Sequence, residues 1–476
     1  MWAPRHTERR PKAANATQRK LQGPQILARW LYSLLLRLGT PAYLWRVWSR
    51  GRDEPGYRAH WPERLGWGGA TVAPGAGPVV WVHAVSLGEA RAAEPLVHAL
   101  REAMPGMRLL LTHTTATGRE AGQALLLSGD AQVWLPYDTP GAVRRFLTRH
   151  QPSVGVLMET EVWPNVQHEA QRAGVPMVLA NARLSVKSLR QGQRFAALLR
   201  PAAQSLRLVL AQTEDDALRL RQMGAPVVQV MGNVKFDMAP APALLAQGQA
   251  WAQASQSRPL VLAASTREGE ESGLLAAWRR AVSNSHTEGV ADRAAAHDQT
   301  PVRPRLWIVP RHPQRFDEVA ALIQGEGWSL SRRSAWPEGV PDAQALQADV
   351  WLGDSMREMP AYYAAAQLAL LGGSFEPLGG QNLIEAAACA CPVIMGPSTF
   401  NFAEAAELSE AAGAAFRVSN WDEGVARAMA LLGQTEALST ARQASQAFAH
   451  AHRGAAQRMA EAVAGCVQAR SSSHSG

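Results

Sequence analysis

From Pro78 onward, short apolar runs alternate with longer stretches of mixed polarity. The runs PVVWV, MRLLLTH, AQVWLPYD, SVGVLME, VPMVLAN, LRLVLAQ and VVQVMG have the length of strands. Their near-continuous apolarity marks strands buried on both faces. The segments between them suit helices, so the pattern predicts a parallel sheet covered on both sides. It pauses at MGNVKFDMAPAPA, Met231 to Ala243, where Pro and Ala suit a linker, and resumes with PLVLAAS, LWIVPR, VWLGD, LALLGGS and CPVIMG. The fold class expected is therefore α/β, one architecture used twice with a cleft between the halves. The boundaries are set at 57–236 and 246–470, with a linker at 237–245. Inside the second half, the aperiodic, polar stretch 282–304 reads as an exposed insertion, and SSSHSG, 471–476, as a disordered tail.

Ahead of the sheets lies a different pattern. The first twenty residues carry six Lys or Arg and one Glu with no apolar period, so 1–22 reads as a flexible basic arm. In ILARWLYSLLLRLG, Ile26 to Gly39, the residues Arg29, Ser33 and Arg37 recur every four positions as one polar stripe. Leu27, Trp30, Leu31, Leu34, Leu35 and Leu38 cover the other side, and Tyr43, Trp45 and Trp48 follow between Arg46 and Arg50. The run is too short, and too interrupted by charge, to span a bilayer. Amphipathic rings with guanidinium groups suit an interfacial helix on anionic lipid, so 23–56 reads as a membrane-associated amphipathic segment. The competing reading is a helix packed on the protein's own surface, the usual fate of an amphipathic helix. A cleaved signal peptide fits less well, because no small-residue cleavage site follows.

Composition narrows the partners. The 476 residues, 47% hydrophobic and 18% charged, are those of a globular chain long enough for two domains. A net charge of +8 calls for a polyanionic partner: nucleic acid, a membrane surface or a phosphorylated substrate. No basic, aromatic-rich nucleic-acid module appears, which leaves the last two. Cys389, Cys391 and Cys466 show no metal or redox spacing and suit a reducing compartment. No GxGxxG follows the first strand, and no HxxxH, HExxH or DxD implies a metal.

In open α/β sheets, ligands bind beyond the carboxyl ends of the strands, so the candidate chemistry is sought there. Ser86-Leu-Gly-Glu89 follows the first strand. Its Ser-x-x-Glu spacing is that of a capping box, and on spacing alone a cap is the commoner use. Glu89 as a proton acceptor is the other reading. Glu159 and Glu161 follow SVGVLM, with a general base and a salt bridge to Arg183 both open. In the second half, Gly373-Ser374 ends a strand, and Gly379-Gly380-Gln381-Asn382 leads into a helix carrying Glu385. Glycines before a helix start expose amides to an anion, and Glu385 suits ribose hydroxyls, unless Asn382 and Glu385 are only a capping pair. Arg311 after LWIVP suits a phosphate, and His312 beside it suits either that site or an ordinary loop.

The runs YRAHWPERLG, WVHAVSLGEA, THTTATGRE, METEVWPN, NARLS, GNVKFD, ASTREGEE, VPRHPQRF, GGSFEPLGGQNLIE and MGPSTFNF, in this order, resemble the 3-deoxy-D-manno-octulosonic acid (Kdo) transferases of lipopolysaccharide synthesis. They span about Tyr57 to Glu404, and three departures stand where His is the more usual residue: Arg267, Gln381 and Ser398. The resemblance implies a GT-B glycosyltransferase: two Rossmann-like domains facing a cleft, with an N-terminal membrane-associated segment. It implies transfer of Kdo from CMP-Kdo to the 6′-hydroxyl of the lipid A precursor, with inversion and without metal or other cofactor. The setting implied is the cytoplasmic face of the inner membrane, held peripherally or by a single N-terminal anchor. Glu89 matches the family's catalytic glutamate, and Glu159 or Glu161 a second acidic position. Donor binding falls to Arg311, His312, Gly373, Ser374, Gly379, Gly380, Gln381, Asn382 and Glu385, with Ser265, Thr266 and Arg267 beside them. Lys187, Arg190 and Arg194 are candidates for the acceptor's phosphates or a solvated helix face. Capping and catalysis need not exclude one another: Ser86 and Gly88 shape the turn, while Glu89 points to the cleft and gives up its own capping bond.

Overall fold

The computed structural model describes residues 13–291 and 303–474. They form two compact units, one running to Asp237 and taking in the stretch from Gly454, the other Met238–Arg453. The first unit holds strands β1 Val79–His83, β2 Arg108–His113, β3 Ala131–Trp134, β4 Val154–Met158, β5 Met177–Ala182, β6 Leu208–Ala211 and β7 Val228–Val230. All pair in parallel, in the order β3-β2-β1-β4-β5-β6-β7. Alternation along each strand serves two cores at once. Val80 and Val82 join Leu96 and Leu100 on one face; Val79 and Trp81 join Val143 and Phe146 on the other. That double burial is why these strands read as continuous apolar runs.

The second unit holds β8 Leu260–Thr266, β9 Arg305–Pro310, β10 Leu330–Arg332, β11 Val350–Leu352, β12 Leu368–Leu371, β13 Val393–Met395 and β14 Ala415–Arg417. They are parallel, in the order β10-β11-β9-β8-β12-β13-β14. β10 and β14 were not anticipated: each is a half-buried edge strand, LSR and AFR, that makes no apolar run. Trp251, Trp307, Trp336, Trp351 and Tyr362 pack together here with ring centroids 4.8–5.7 Å apart, so much of the tryptophan is core. In each sheet the winding direction reverses once, between β1 and β4 and between β8 and β12. Such switch points are where open α/β sheets bind ligands.

Several boundaries differ from expectation. The helix Ala455–His474, which the pattern assigned to the second half, belongs to the first unit, where Met459 and Val463 enter the core beside Leu96 and Leu100. Its start is fixed by Asp237, whose carboxylate accepts the amides of Gly454 and Ala456 (2.6 Å for the latter). An apolar helix face shows in a sequence; which sheet it covers does not. That helix runs into the expected tail, of which 475–476 lie outside the described residues. The helix Glu270–Ala291 runs into the expected insertion, of which 292–302 lie outside them.

One continuous helix, Ala13–Arg50, includes Pro24 and Pro41 and takes in residues 13–22 of the expected flexible arm; 1–12 lie outside the described residues. Its polar side, not its apolar side, meets the protein. Ser33 is buried and donates to Asn165 Oδ1 at 3.1 Å, and the Tyr32 hydroxyl donates to Asp138 Oδ2 at 2.9 Å. Asp138 in turn accepts the amides of Asn165 and Val166, at the start of the helix Pro164–Arg172. Ile26, Leu27, Trp30, Leu31, Leu35, Leu38, Trp45 and Trp48 are left 46–73% exposed. Among the described residues, no helix is long and apolar enough to cross a membrane.

Candidate active site

In the first unit the chain leaves β1 at His83 and enters the helix Leu87–Ala103 through Ser86, its N-cap. The Ser86 hydroxyl accepts the Glu89 amide (3.4 Å), and the Glu89 carboxylate accepts the Ser86 hydroxyl (3.3 Å) and the Val85 amide (2.8 Å). Glu89 therefore keeps its capping bonds, contrary to the expectation that it gives one up. The box ties Glu89 down at the end of β1, beside the switch point. Burial raises the Glu89 pKa above the ordinary carboxylate value; the Val85 amide opposes that rise, and the charge of Glu159 adds to it. A half-buried carboxylate with raised proton affinity has the properties of a general base.

Across the switch point, Glu159 follows the last residue of β4 and is held at φ 57°, in the left-handed region that a side chain disfavours. Its carboxylate pairs with Lys235 Nζ at 3.1 Å and Arg183 Nε at 3.3 Å. The anticipated salt bridge to Arg183 exists, and Lys235 shares it. Burial, and then the charge of Glu89, push Glu161 up to about 7. Glu89, Glu159, Glu161 and Lys235 thus form one electrostatic cluster.

No role for Lys235 was drawn from the sequence. A signal was present: Lys occurs four times in this arginine-rich chain, at 12, 20, 187 and 235. Its turn is fixed by buried amides. Asn181, at the end of β5 with φ 52°, accepts the Val234 amide through its side chain and the Gln212 side chain through its carbonyl; Gln212 then accepts from Asn233. Lys187, Arg190 and Arg194 lie exposed on the helix Val186–Arg194, whose buried residues are Leu189 and Gly192. That exposure fits a solvated face and a contact with the acceptor's phosphates alike.

In the second unit, Ser265 (φ 58°) near the end of β8 approaches Gly372 after β12 so closely that a Cβ at 372 would meet the Ser265 carbonyl oxygen at 2.3 Å. Glu270, fully buried, fastens both strand ends: its carboxylate accepts the amides of Arg267 (2.8 Å), Gly373 (2.7 Å) and Phe375 (3.2 Å). Thr266 donates to Glu271, which also takes a bidentate bond from Arg315. The Arg311 amide donates to the Thr266 carbonyl, bringing β9's end with Arg311 and His312 alongside. Arg267 and Gln381, two of the three departures, flank Gly373.

The glycine loop is more occupied than expected. The Gly380 amide donates to the Gly373 carbonyl (2.7 Å) and the Gly379 amide to the Ser398 hydroxyl (3.0 Å), so neither points to a ligand. Ser374 is buried, bonding the Leu371 carbonyl and accepting the Gly396 amide, a structural role in place of the expected ligand contact. Asn382 caps the helix Leu383–Ala388 through the Ile384 amide, and Glu385 stands in its first turn. Arg311, His312, Arg267, Gln381, Asn382 and Glu385 are the other residues the sequence offers for donor binding. Among the described residues, no three His, Cys, Asp or Glu converge as metal ligands, and all three cysteines are free and buried.

A family profile described as 3-deoxy-D-manno-octulosonic-acid transferase matches residues 59–238. The chain is similar to a 3-deoxy-D-manno-octulosonic acid transferase of Bordetella pertussis, 47% identical over 92% of this chain and 99% of that one. A Haemophilus influenzae protein of the same name is 32% identical over 90% and 97% of the two chains. Among solved structures, Anabaena HepE in complex with UDP superposes with a TM-score of 0.52 at 16% identity, covering 82% of this chain and all of that one. That last likeness is one of fold, and it accords with the GT-B architecture of two parallel seven-stranded α/β units.

Proposed function

We propose a function from one premise: the chain belongs to the 3-deoxy-D-manno-octulosonic acid transferase family. It is a glycosyltransferase of Kdo, and the finer reading is transfer from CMP-Kdo to the 6′-hydroxyl of the lipid A precursor, without a metal. The observation that carries this reading is Glu89: a half-buried carboxylate with raised proton affinity, pinned at the end of β1 beside the switch point. In the proposed step, Glu89 takes the hydroxyl proton as that oxygen attacks the anomeric carbon of Kdo. The C–O bond to CMP breaks with inversion, and its electron pair leaves on the phosphate. Arg311, with the backbone at Gln381 and Asn382, holds the phosphate's charge. Lys235 neutralises Glu159 and favours the ionised form of Glu89, so negative charge in the cluster does not keep the base protonated.

The N-terminal helix supports work at a membrane surface. Its outward face bears eight large apolar residues, five of them Leu or Ile and three Trp, the arrangement an interfacial helix presents to lipid. The proposed setting is the cytoplasmic face of the inner membrane. Lys187, Arg190 and Arg194 are proposed to meet acceptor phosphates as salt-screened contacts. Mass spectrometry of the product from CMP-Kdo and lipid A precursor tests the reaction, and calorimetry of CMP against UDP tests the donor. Tighter binding of UDP, or no Kdo-lipid product, overturns the assignment. Replacing Leu31, Leu35 and Trp45 together by Ser is expected to lower vesicle binding more than ten-fold, since each large side chain buried is worth about 1.5–3 kcal/mol. Unchanged binding contradicts the membrane reading.

A further inference from the structure

A groove of about 280 Å³ opens in the first unit between the N-terminal helix and the helices Pro164–Arg172 and Ala196–Gln204. It exists because the N-terminal helix is docked by polar contacts. Ser33 and Tyr32 fix it to Asn165 and Asp138, and nearer its start the facing residues Pro201, Ala202 and Ser205 are too short to fill the gap. The volume lies just under the ~300–1,000 Å³ of pockets that bury a whole drug-sized ligand, so it suits a segment of a larger molecule. Ile26, Leu198, Pro201 and Ala202 make an apolar wall; Arg29 brings a cation to it and His168 a ring N–H donor.

The Arg29 charge calls for an anion. Among the described residues, no carboxylate forms an ion pair with Arg29 or Arg172. Burial, then the charge of Arg29, hold the His168 pKa below the ordinary imidazole value, with Arg172 adding to the effect and Glu169 opposing it. Ile26 belongs both to the groove's wall and to the helix's exposed apolar face, so the groove is continuous with the surface read above as meeting lipid.

We propose that this groove binds one anionic glycerophospholipid, its phosphate at Arg29 and His168 and an acyl segment along Ile26, Leu198 and Pro201. The site is separate from the residues of the transfer reaction, and it rests on the membrane-facing reading of the N-terminal helix. A bound lipid fills the gap under that helix and gives it an apolar partner in place of an empty seam.

Native mass spectrometry of the full chain, released from vesicles of equal phosphatidylglycerol and phosphatidylcholine with matched acyl chains, tests this. The wild type is expected to retain one phosphatidylglycerol per chain, about five-fold in preference to phosphatidylcholine, the scale of one basic side chain near an anionic headgroup. Ala202→Phe and Leu198→Trp, which fill the groove, are expected to lose that lipid at least ten-fold while vesicle co-sedimentation changes less than two-fold. Leu198 is only half-buried, so its variant keeps the test open where Phe at the buried Ala202 fails to fold. Arg29→Gln with His168→Gln is expected to bring the preference close to one. Retention of lipid by Leu198→Trp at the wild-type level, equal retention of the two headgroups, or no lipid on a wild type that does sediment with vesicles overturns the groove. A wild type that retains phosphatidylglycerol but does not sediment instead overturns the membrane-facing reading of the helix and leaves the groove standing.

Discussion

The two units place opposite chemistry at the same topological position. At the first switch point, the ends of β1 and β4 carry Glu89 and Glu159, with Lys235 and Arg183 beside them. At the second, the ends of β8 and β12 carry Ser265, Arg267 and Gly373, and the nearby carboxylate of Glu270 is turned inward onto three backbone amides. Burial raises the proton affinity of both Glu89 and Glu270. What separates them is access: Glu270 is fully buried, whereas Glu89 is held by only the Val85 amide and the Ser86 hydroxyl and stays half-exposed. One carboxylate keeps access to solvent, as a proton-exchanging group needs; the other fastens a loop. A strand-end glutamate is therefore read by what its oxygens already hold.

Breaking each half separately sharpens this contrast. In the first unit the variant is Lys235→Met, which leaves Glu159 with Arg183 alone and removes a positive charge that favours ionised Glu89. The limb of the pH–rate profile on which Glu89 ionises is expected to move to higher pH, so transfer on that limb falls about ten-fold for each pH unit of the move. CMP affinity, measured calorimetrically, is expected to stay put, because Lys235 lies in the other unit. Glu270→Gln is expected to do the reverse. It sets a donor against a buried amide, at a cost of about 1–3 kcal/mol, so CMP binds roughly ten-fold more weakly while turnover at saturating donor is largely kept. Unchanged CMP affinity in that variant would remove Glu270 from the donor site.

A smaller effect concerns pH. Glu161 titrates near 7 beside Glu89. As pH rises through that value, Glu161 loses its proton, and the new negative charge increases the proton affinity of Glu89 and so its strength as a base. The transfer rate is therefore expected to rise through about pH 7, above the lower limb on which Glu89 itself ionises. Glu161→Gln is expected to abolish the rise near 7 and keep the lower limb. A profile unaltered by that substitution would detach Glu161 from the cluster.

How far the sequence carried depended on how local each feature is. Six strands of the first sheet were legible because burial on both faces writes a continuous apolar run, as in VVWVH, and the exposed edge strand β7 because VVQVMG still reads as mainly apolar. The half-buried edge strands β10 and β14 left no such trace. Glu89 was legible as a cap and as a base, and the structure has it capping with its carboxylate still half-exposed. The helix Ala455–His474 was assigned to the wrong half because its partners, Asp237 and Leu96, are far away in sequence. Lys235 was passed over for the same reason: its meaning comes from Glu159, which only the turn built on Asn181, Gln212 and Asn233 brings near. The two faces of the N-terminal helix were visible in its stripes, but its orientation was decided by Ser33 meeting Asn165. The amides of Gly379 and Gly380 looked available to an anion and are taken by Ser398 and Gly373.

The role of Glu89 is tested most directly by single-turnover transfer from CMP-Kdo to lipid A precursor by Glu89→Gln beside the wild type, with thermal melts of both. Gln still accepts the Val85 amide and preserves the cap, but it cannot take a proton as a carboxylate does. The expected result is a rate lowered about 10²–10⁴-fold, the usual contribution of a placed general base, with the melting temperature and CMP affinity unchanged. Transfer at the wild-type rate would contradict it and leave Glu89 with a structural role alone.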